Sequence, residues 1–202
     1  MDKVVCYKDL TDSAQELAIR QARNSVEYAN HVLDVLEHRA KGALWNRLGL
    51  SVKPNIVDLV ITFRKLVTDF SELHRLGAAD VIEFSLIINT YASDTPDDVI
   101  EALQMNSEYE QDDVCFSKLE DFSAIYSNTD LSINLSSDDE LPFSGKERVC
   151  THDWIYNTVD DAVSDIHADL FEKLVDCYSS EQIRNYLMER NPECYENGYI
   201  LV

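Results

Sequence analysis

Glycine and proline are scarce in this 202-residue chain, at five and four, and bases are outnumbered, with 17 Lys and Arg against 38 Asp and Glu. Few chain breakers favour helices. So few glycines also leave little material for loops that cradle phosphate through bare backbone, and no G-x-x-x-x-G-K-[ST], G-x-G-x-x-G or G-x-S-x-G occurs. The zincin pattern H-E-x-x-H is missing as well. The cysteines (Cys6, Cys115, Cys150, Cys177 and Cys194) are odd in number and include no C-x-x-C pair, which argues for reduced thiols rather than a disulfide framework. No apolar run approaches the roughly 18 residues of a membrane-spanning helix, and no apolar stretch of the signal-peptide kind follows the opening MDKVVCYKDL. The expectation is an intracellular, cytoplasmic protein, for which the sequon Asn134-Leu135-Ser136 is incidental.

The charge that is present is one-sided and unevenly placed. The chain carries −21 overall; residues 1–75 hold 11 bases and 10 acids, whereas residues 76–202 hold 6 bases and 28 acids. The densest part is 94–140, where 14 acids face Lys118 alone. Such a field repels nucleic acid and anionic membrane and attracts basic protein surfaces. Direct binding of DNA or RNA is disfavoured, because it needs a Lys/Arg footprint.

The periodicities predict an α+β fold, with long amphipathic helices packed on a small, mainly antiparallel sheet and a C-terminal β-hairpin. KVVCY (3–7) reads as a strand. From Thr11 to Lys41, apolar residues recur at helical spacing (Ala14, Leu17, Ala18, Ala22, Val26, Ala29, Val32, Leu33, Leu36, Ala40), which predicts one long helix capped by Thr11 or Ser13. Its alanine-rich face suits close approach of a second helix, and a homodimer through it is one reading. Residues 42–50 read as a turn or short helix closed by Gly49. The stripe Ile56, Leu59, Val60, Phe63, Leu66, Val67, Phe70, Leu73 fits a further helix, although NIVDLVITF is β-branched enough for a strand. Residues 80–92 and 131–135 read as strands, 93–105 as a short helix and Val114–Phe116 as a short strand. SSDDELPFSGKE reads as a loop and 157–178 as a helix with Asp160, Asp161, Asp165, Asp169 and Glu172 outward. A short helix follows, capped by Ser179 or Ser180, and Asn197-Gly198 then signals a hairpin. The whole is read as a single domain, 1–202, with a break in composition near 93 between a near-neutral helical part (1–93) and a strongly acidic one (94–202).

The stretch NSEYEQDDVCFSKLED (106–121) concentrates the question of chemistry, with six acids around Lys118. An EF-hand fails there twice: Gln111 stands where the turn needs Gly, and Ser117 where the bidentate Glu belongs. Cys150-x-His152 with His167 imitates a zinc set but lacks a fourth ligand, and His167 sits between Ile166 and Ala168 on a predicted helix. Carboxylates that could hold Mg²⁺, such as Asp138 with Asp112, have no base nearby in sequence to receive a phosphate. The expectation is no metal, no cofactor and no catalytic set.

Three pieces of the chain together resemble a group of uncharacterised accessory proteins encoded by tailed bacteriophages. YKDLTDSAQELAIRQARN resembles their y-x-[DE]-L-[ST]-x-x-A-x-x-x-A opening through Leu10, Ala14 and Ala18. YEQDDVCF is similar to their Y-[ST]-Q-G-D-G centre through Tyr109, Gln111, Asp112 or Asp113, and Phe116. YSSEQIRNYLMERNPECYENGYILV resembles their ending through Ile183, Asn191, Asn197, Gly198 and Ile200. The chain departs at the centre, where Asp112-Asp113-Val114 replaces G-D-G, which removes a tight turn and adds charge. The resemblance implies a phage accessory product acting in the bacterial cytoplasm.

Together these readings predict a counter-defence or host-takeover protein that binds and inhibits a basic, nucleic-acid-handling host protein. Its carboxylates would occupy the partner's groove in place of DNA or RNA, in the manner of acidic anti-restriction and anti-CRISPR proteins. The candidate partner-binding residues are Glu108, Glu110, Asp112, Asp113, Glu120, Asp121, Asp138, Asp139 and Glu140. The other readings are a structural, oligomeric module and a metal-dependent nuclease or nucleotide hydrolase.

Overall fold

Thr11 and Ser25 divide the N-terminal third. In the computed structural model, which describes residues 3–53, 57–63, 81–89, 121–127, 130–136 and 145–201, the expected single long helix is two. Helix α1 spans Asp12–Arg23, its first turn capped by Thr11, whose hydroxyl accepts the Ala14 N–H at 3.4 Å. Helix α2 spans Val26–Leu48. The break is made locally: the Ser25 hydroxyl donates to the Ala22 carbonyl at 2.8 Å and accepts the Tyr28 N–H at 3.1 Å, ending one helix and starting the next. Ser25→Ala is therefore expected to cost about 1 kcal/mol, measured as a lowered urea midpoint.

Residues 42–48, expected as a turn or short helix, are the last two turns of α2. The stripe Val32, Leu36, Ala40, Leu44 and Leu48 is almost fully buried and runs straight past Gly42. Burying leucines at about 2 kcal/mol each outweighs the roughly 1 kcal/mol that a mid-helix glycine costs. Gly49 then closes the helix in the left-handed region, at φ 65°, with its N–H on the Trp45 carbonyl at 2.9 Å.

The larger sheet has four antiparallel strands in the order β2–β3–β4–β5, a meander of Val57–Phe63, Ile82–Asn89, Asp121–Ser127 and Asp130–Ser136. Over 57–63 the strand replaces the expected helix. Val57 pairs with Ile88 and Phe63 with Ile82, which turns Val57, Ile82, Phe84, Leu86 and Ile88 into the core and leaves Val60 and Ile87 exposed. Ile56, Leu59, Val60 and Phe63 have helical spacing, whereas Val57, Leu59, Ile61 and Phe63 alternate as a strand does, and the partner strand decides between the two periods. Strand β3 lies within the expected 80–92, and β5 covers the expected 131–135. Strand β4 was not expected. The proposed helix at 93–105 and strand at Val114–Phe116 lie outside the described residues, as does the stripe beyond Phe63.

Helix α3, Gly145–Cys177, begins about three turns before the expected 157 and includes the end of the expected loop, Gly145–Glu147. Ser179 caps α4, Ser180–Arg190, through the Gln182 N–H at 3.3 Å. Asn191 ends it in the left-handed region, with its Oδ1 accepting the Lys8 N–H at 3.1 Å. The chain then enters β6, Glu193–Tyr195, which runs antiparallel to β1, Val4–Cys6, with Val5 opposite Cys194. The hairpin at Asn197-Gly198 folds Ile200 back onto Cys194 by a single bridge.

One cluster of buried side chains joins these pieces. It runs from Ala14, Ala18 and Ala22 on α1 through the α2 stripe to the sheet, and on to Val159, Val163, Ile166, Leu170 and Leu174 of α3. Tyr28 is its joint at one end. Its ring makes edge-on contacts with Tyr178 and Tyr186, at centroid distances of 5.7 and 4.9 Å, and its hydroxyl donates to the carbonyl of Cys177 at the end of α3. Burial pushes the Tyr28 hydroxyl far above its ordinary pKa and the Tyr178 hydroxyl up to about 12, so both remain protonated.

Candidate functional site

Of the nine acids expected to bind a partner, Asp121 opens β4 opposite Ser136. Glu108, Glu110, Asp112, Asp113, Glu120, Asp138, Asp139 and Glu140 lie outside the described residues. Among the described helices the negative charge gathers on α3. Helices α1, α2 and α4 carry equal numbers of acids and bases, whereas Asp160–Asp176 contains six acids and Lys173. The cause is the apolar stripe on the same helix. Val159, Val163, Ile166, Leu170 and Leu174 turn inward, and Asp161, Asp165, Glu172 and Asp176 turn to solvent. At 1.5 Å per residue these four carboxylates mark out a row about 22 Å long.

Among the described residues, bases of the same chain pair with Asp165, Asp169 and Asp176 on this face. Arg39 of α2 grips Asp169 with two parallel bonds, Nε to Oδ2 and Nη2 to Oδ1, both 2.7 Å. Arg47 reaches Asp165 at 2.6 Å, and Lys173 reaches Asp176 at 2.7 Å. Asp160 and Glu172 have no cationic partner among the described residues. Between α2 and α3 lies an open groove of about 440 Å³, lined by His38, Gly42, Ala43, Asn46, the two arginines and Asp169. Its arginines are paired, Arg39 with Asp169 in the groove and Arg47 with Asp165 outside it, so it does not extend the negative face.

The Arg39 guanidinium, by hydrogen bonding, holds the Asp169 carboxyl below its ordinary value of 3.8. The sign follows: a carboxyl with a lowered folded-state pKa stabilises the fold above its unfolded value and loses that contribution as acid carries it through the lowered one. Both side chains are solvent-exposed in part, 58% for Arg39 and 29% for Asp169, so the contribution is modest. Arg39→Gln is thus expected to be less stable than the unsubstituted chain at neutral pH. The gap should close as acid carries the carboxyl from its ordinary value down through the lowered folded one. Urea unfolding at neutral and acid pH measures it.

Cys150, His152 and His167 all lie on α3, and His152 and His167 are 15 residues apart, about 22 Å along the axis. They cannot converge on one ion. His167 is buried instead, with its ring 5.8 Å from that of Phe84. Burial also pushes the Cys177 and Cys194 thiols up, which keeps them protonated and poor nucleophiles. The alanine face of the first helix is occupied within the chain: Ala14, Ala18, Ala22 and Ala29 are each no more than 5% exposed. It offers no free surface to a second copy. Among the described residues, no helix is long and apolar enough to cross a membrane.

The outward acids of α3 were legible from helical periodicity. Their partial neutralisation was not, because Asp169 lies 130 residues from Arg39. No protein-family model, curated protein or solved structure matches the chain.

Proposed function

We propose that this protein is a non-catalytic binder that occupies the basic, nucleic-acid-handling surface of another protein in place of DNA or RNA. The observation that supports this is the segregation of charge. The neighbouring helices are balanced, whereas one face of α3 presents a row of carboxylates, and residues 94–140 add 14 acids against one base. Carboxylates one helical turn apart, as Asp161 and Asp165 are, stand about 6 Å from each other, close to the spacing of phosphates along a nucleic-acid strand. A basic groove built for phosphate accepts such a row, and the long-range field speeds the encounter. The resemblance to tailed-phage accessory proteins supports a bacterial cytoplasmic setting and a counter-defence role of the anti-restriction or anti-CRISPR kind.

The test is capture from bacterial lysate at low and high salt, with identification of the retained proteins by mass spectrometry. A nucleic-acid-binding protein rich in Lys and Arg is expected at low salt and is expected to be lost at high salt. Two neutralised chains separate the surfaces, one with Asp161→Asn, Asp165→Asn and Glu172→Gln, the other with Glu108, Glu110, Asp112 and Asp113 changed to their amides. Loss of about tenfold or more in affinity from either set supports the proposal. Capture that neither salt nor neutralisation changes would overturn it.

A further inference from the structure

We infer that Asn197 is a deamidation site gated by the fold. It opens the chain's single Asn-Gly step, where the following residue has no Cβ to hinder attack by its own amide nitrogen. In that reaction the Gly198 nitrogen attacks Cγ of Asn197. A C–N bond closes a five-membered imide, and the side-chain nitrogen leaves as ammonia. Water then opens the ring at either carbonyl, giving aspartate or isoaspartate.

In the closed turn the attacking nitrogen is engaged. The Gly198 N–H donates to the Tyr195 carbonyl at 2.8 Å, and Gly198 is buried with φ held at 97°. The electrophile is held as well, since Asn197 Oδ1 accepts the Tyr199 N–H at 3.2 Å. Asn197 is exposed, so water reaches the site throughout; reactive geometry is what the fold withholds. The gate has an identifiable latch. The Gln21 side-chain amide pairs with Ile200 as a neighbouring strand would, accepting its N–H at 2.9 Å and donating to its carbonyl at 3.4 Å. Deamidation proceeds from molecules in which this segment has opened. The isoaspartate product adds a charge and one backbone methylene next to Gly198, which sits hard against Ala14 and has no room to shift inward. A turn that carries isoaspartate therefore does not close again in the same geometry.

The full chain is incubated at mildly alkaline pH, natively and in denaturant, and the C-terminal peptide is followed by mass and by isoaspartate-specific methylation. The native rate is expected to be at least about tenfold below the denatured one. Gln21→Ala, verified as folded by circular dichroism, is expected to react faster than the unsubstituted chain, and Asn197→Gln to abolish the signal. Equal native and denatured rates overturn the inference, and so does a folded Gln21→Ala chain that reacts no faster. The comparison of native with denatured protein stands even where Gln21→Ala does not fold.

Discussion

Gly198→Ala is expected to lower stability by about 2–4 kcal/mol and to shift the urea midpoint accordingly. Two independent causes act at that position. Its φ of 97° lies in a region that side chains with a Cβ rarely adopt. A Cβ built there would overlap the Ala14 carbonyl oxygen and stand 2.9 Å from the carbonyl carbon. The obstacle is helix backbone, which cannot rotate away as a flexible side chain would. Relief requires the C-terminal turn to lift from α1, and with it the Gln21–Ile200 pairing and the contact of β6 with β1. A midpoint within experimental error of the unsubstituted chain would show that the turn does not pack on α1 as described. Gly42→Ala serves as the contrast. Beyond its own helix backbone and chain neighbours, nothing lies within 4 Å of the added Cβ, so the same substitution there is expected to be neutral or to stabilise by up to about 1 kcal/mol.

The second large effect is expected from Leu170→Ala, a loss of about 2–5 kcal/mol. Leu170 is fully buried between Ile166 and Leu174 on the inner face of α3, and truncation leaves a cavity in the shared core. Glu172, two residues on, is exposed, and Glu172→Gln is expected to move stability by less than about 0.5 kcal/mol. The pair tests the orientation of α3 directly. If both changes cost alike, the helix is rotated from the position described, and the acidic row no longer faces solvent. If they differ as expected, Glu172 can be changed in binding experiments without confusing lost affinity with lost folding.

Much of the helical structure was legible because its causes are local. Thr11 and Ser179 cap through side-chain bonds to N–H groups three residues ahead, and the inward stripe of α3 follows from spacing alone. The division between α1 and α2 was missed although its signal, Asn24-Ser25 inside an alanine-rich stripe, was present. Apolar periodicity continues across the break, and a count of apolar positions does not register a serine that caps. The misreading of 57–63 has a different origin. Its apolar spacing fitted a helix as well as a strand, and the pairing of Val57 with Ile88 settles it. Strand β4 escaped notice because Phe122, Ala124, Ile125 and Tyr126 follow no strict alternation, and its place comes from two neighbours, β3 and β5.

The same distinction runs through the candidate surface. Composition alone set the sign of the charge and its concentration after residue 75, and periodicity alone turned the α3 acids outward. Tertiary structure decided how much of that charge remains available. Packing of α2 beside α3 brings Arg39 to Asp169 and Arg47 to Asp165, over separations of 130 and 118 residues. It also took up the alanine face of the first helix, which by spacing alone suited a second copy equally well. A helix is closed by bonds to residues four positions away, so its existence and its polar face can be read along the chain. A strand, an ion pair between helices and a buried alanine each need a partner that only the folded chain brings near, and the sequence order holds no record of that approach.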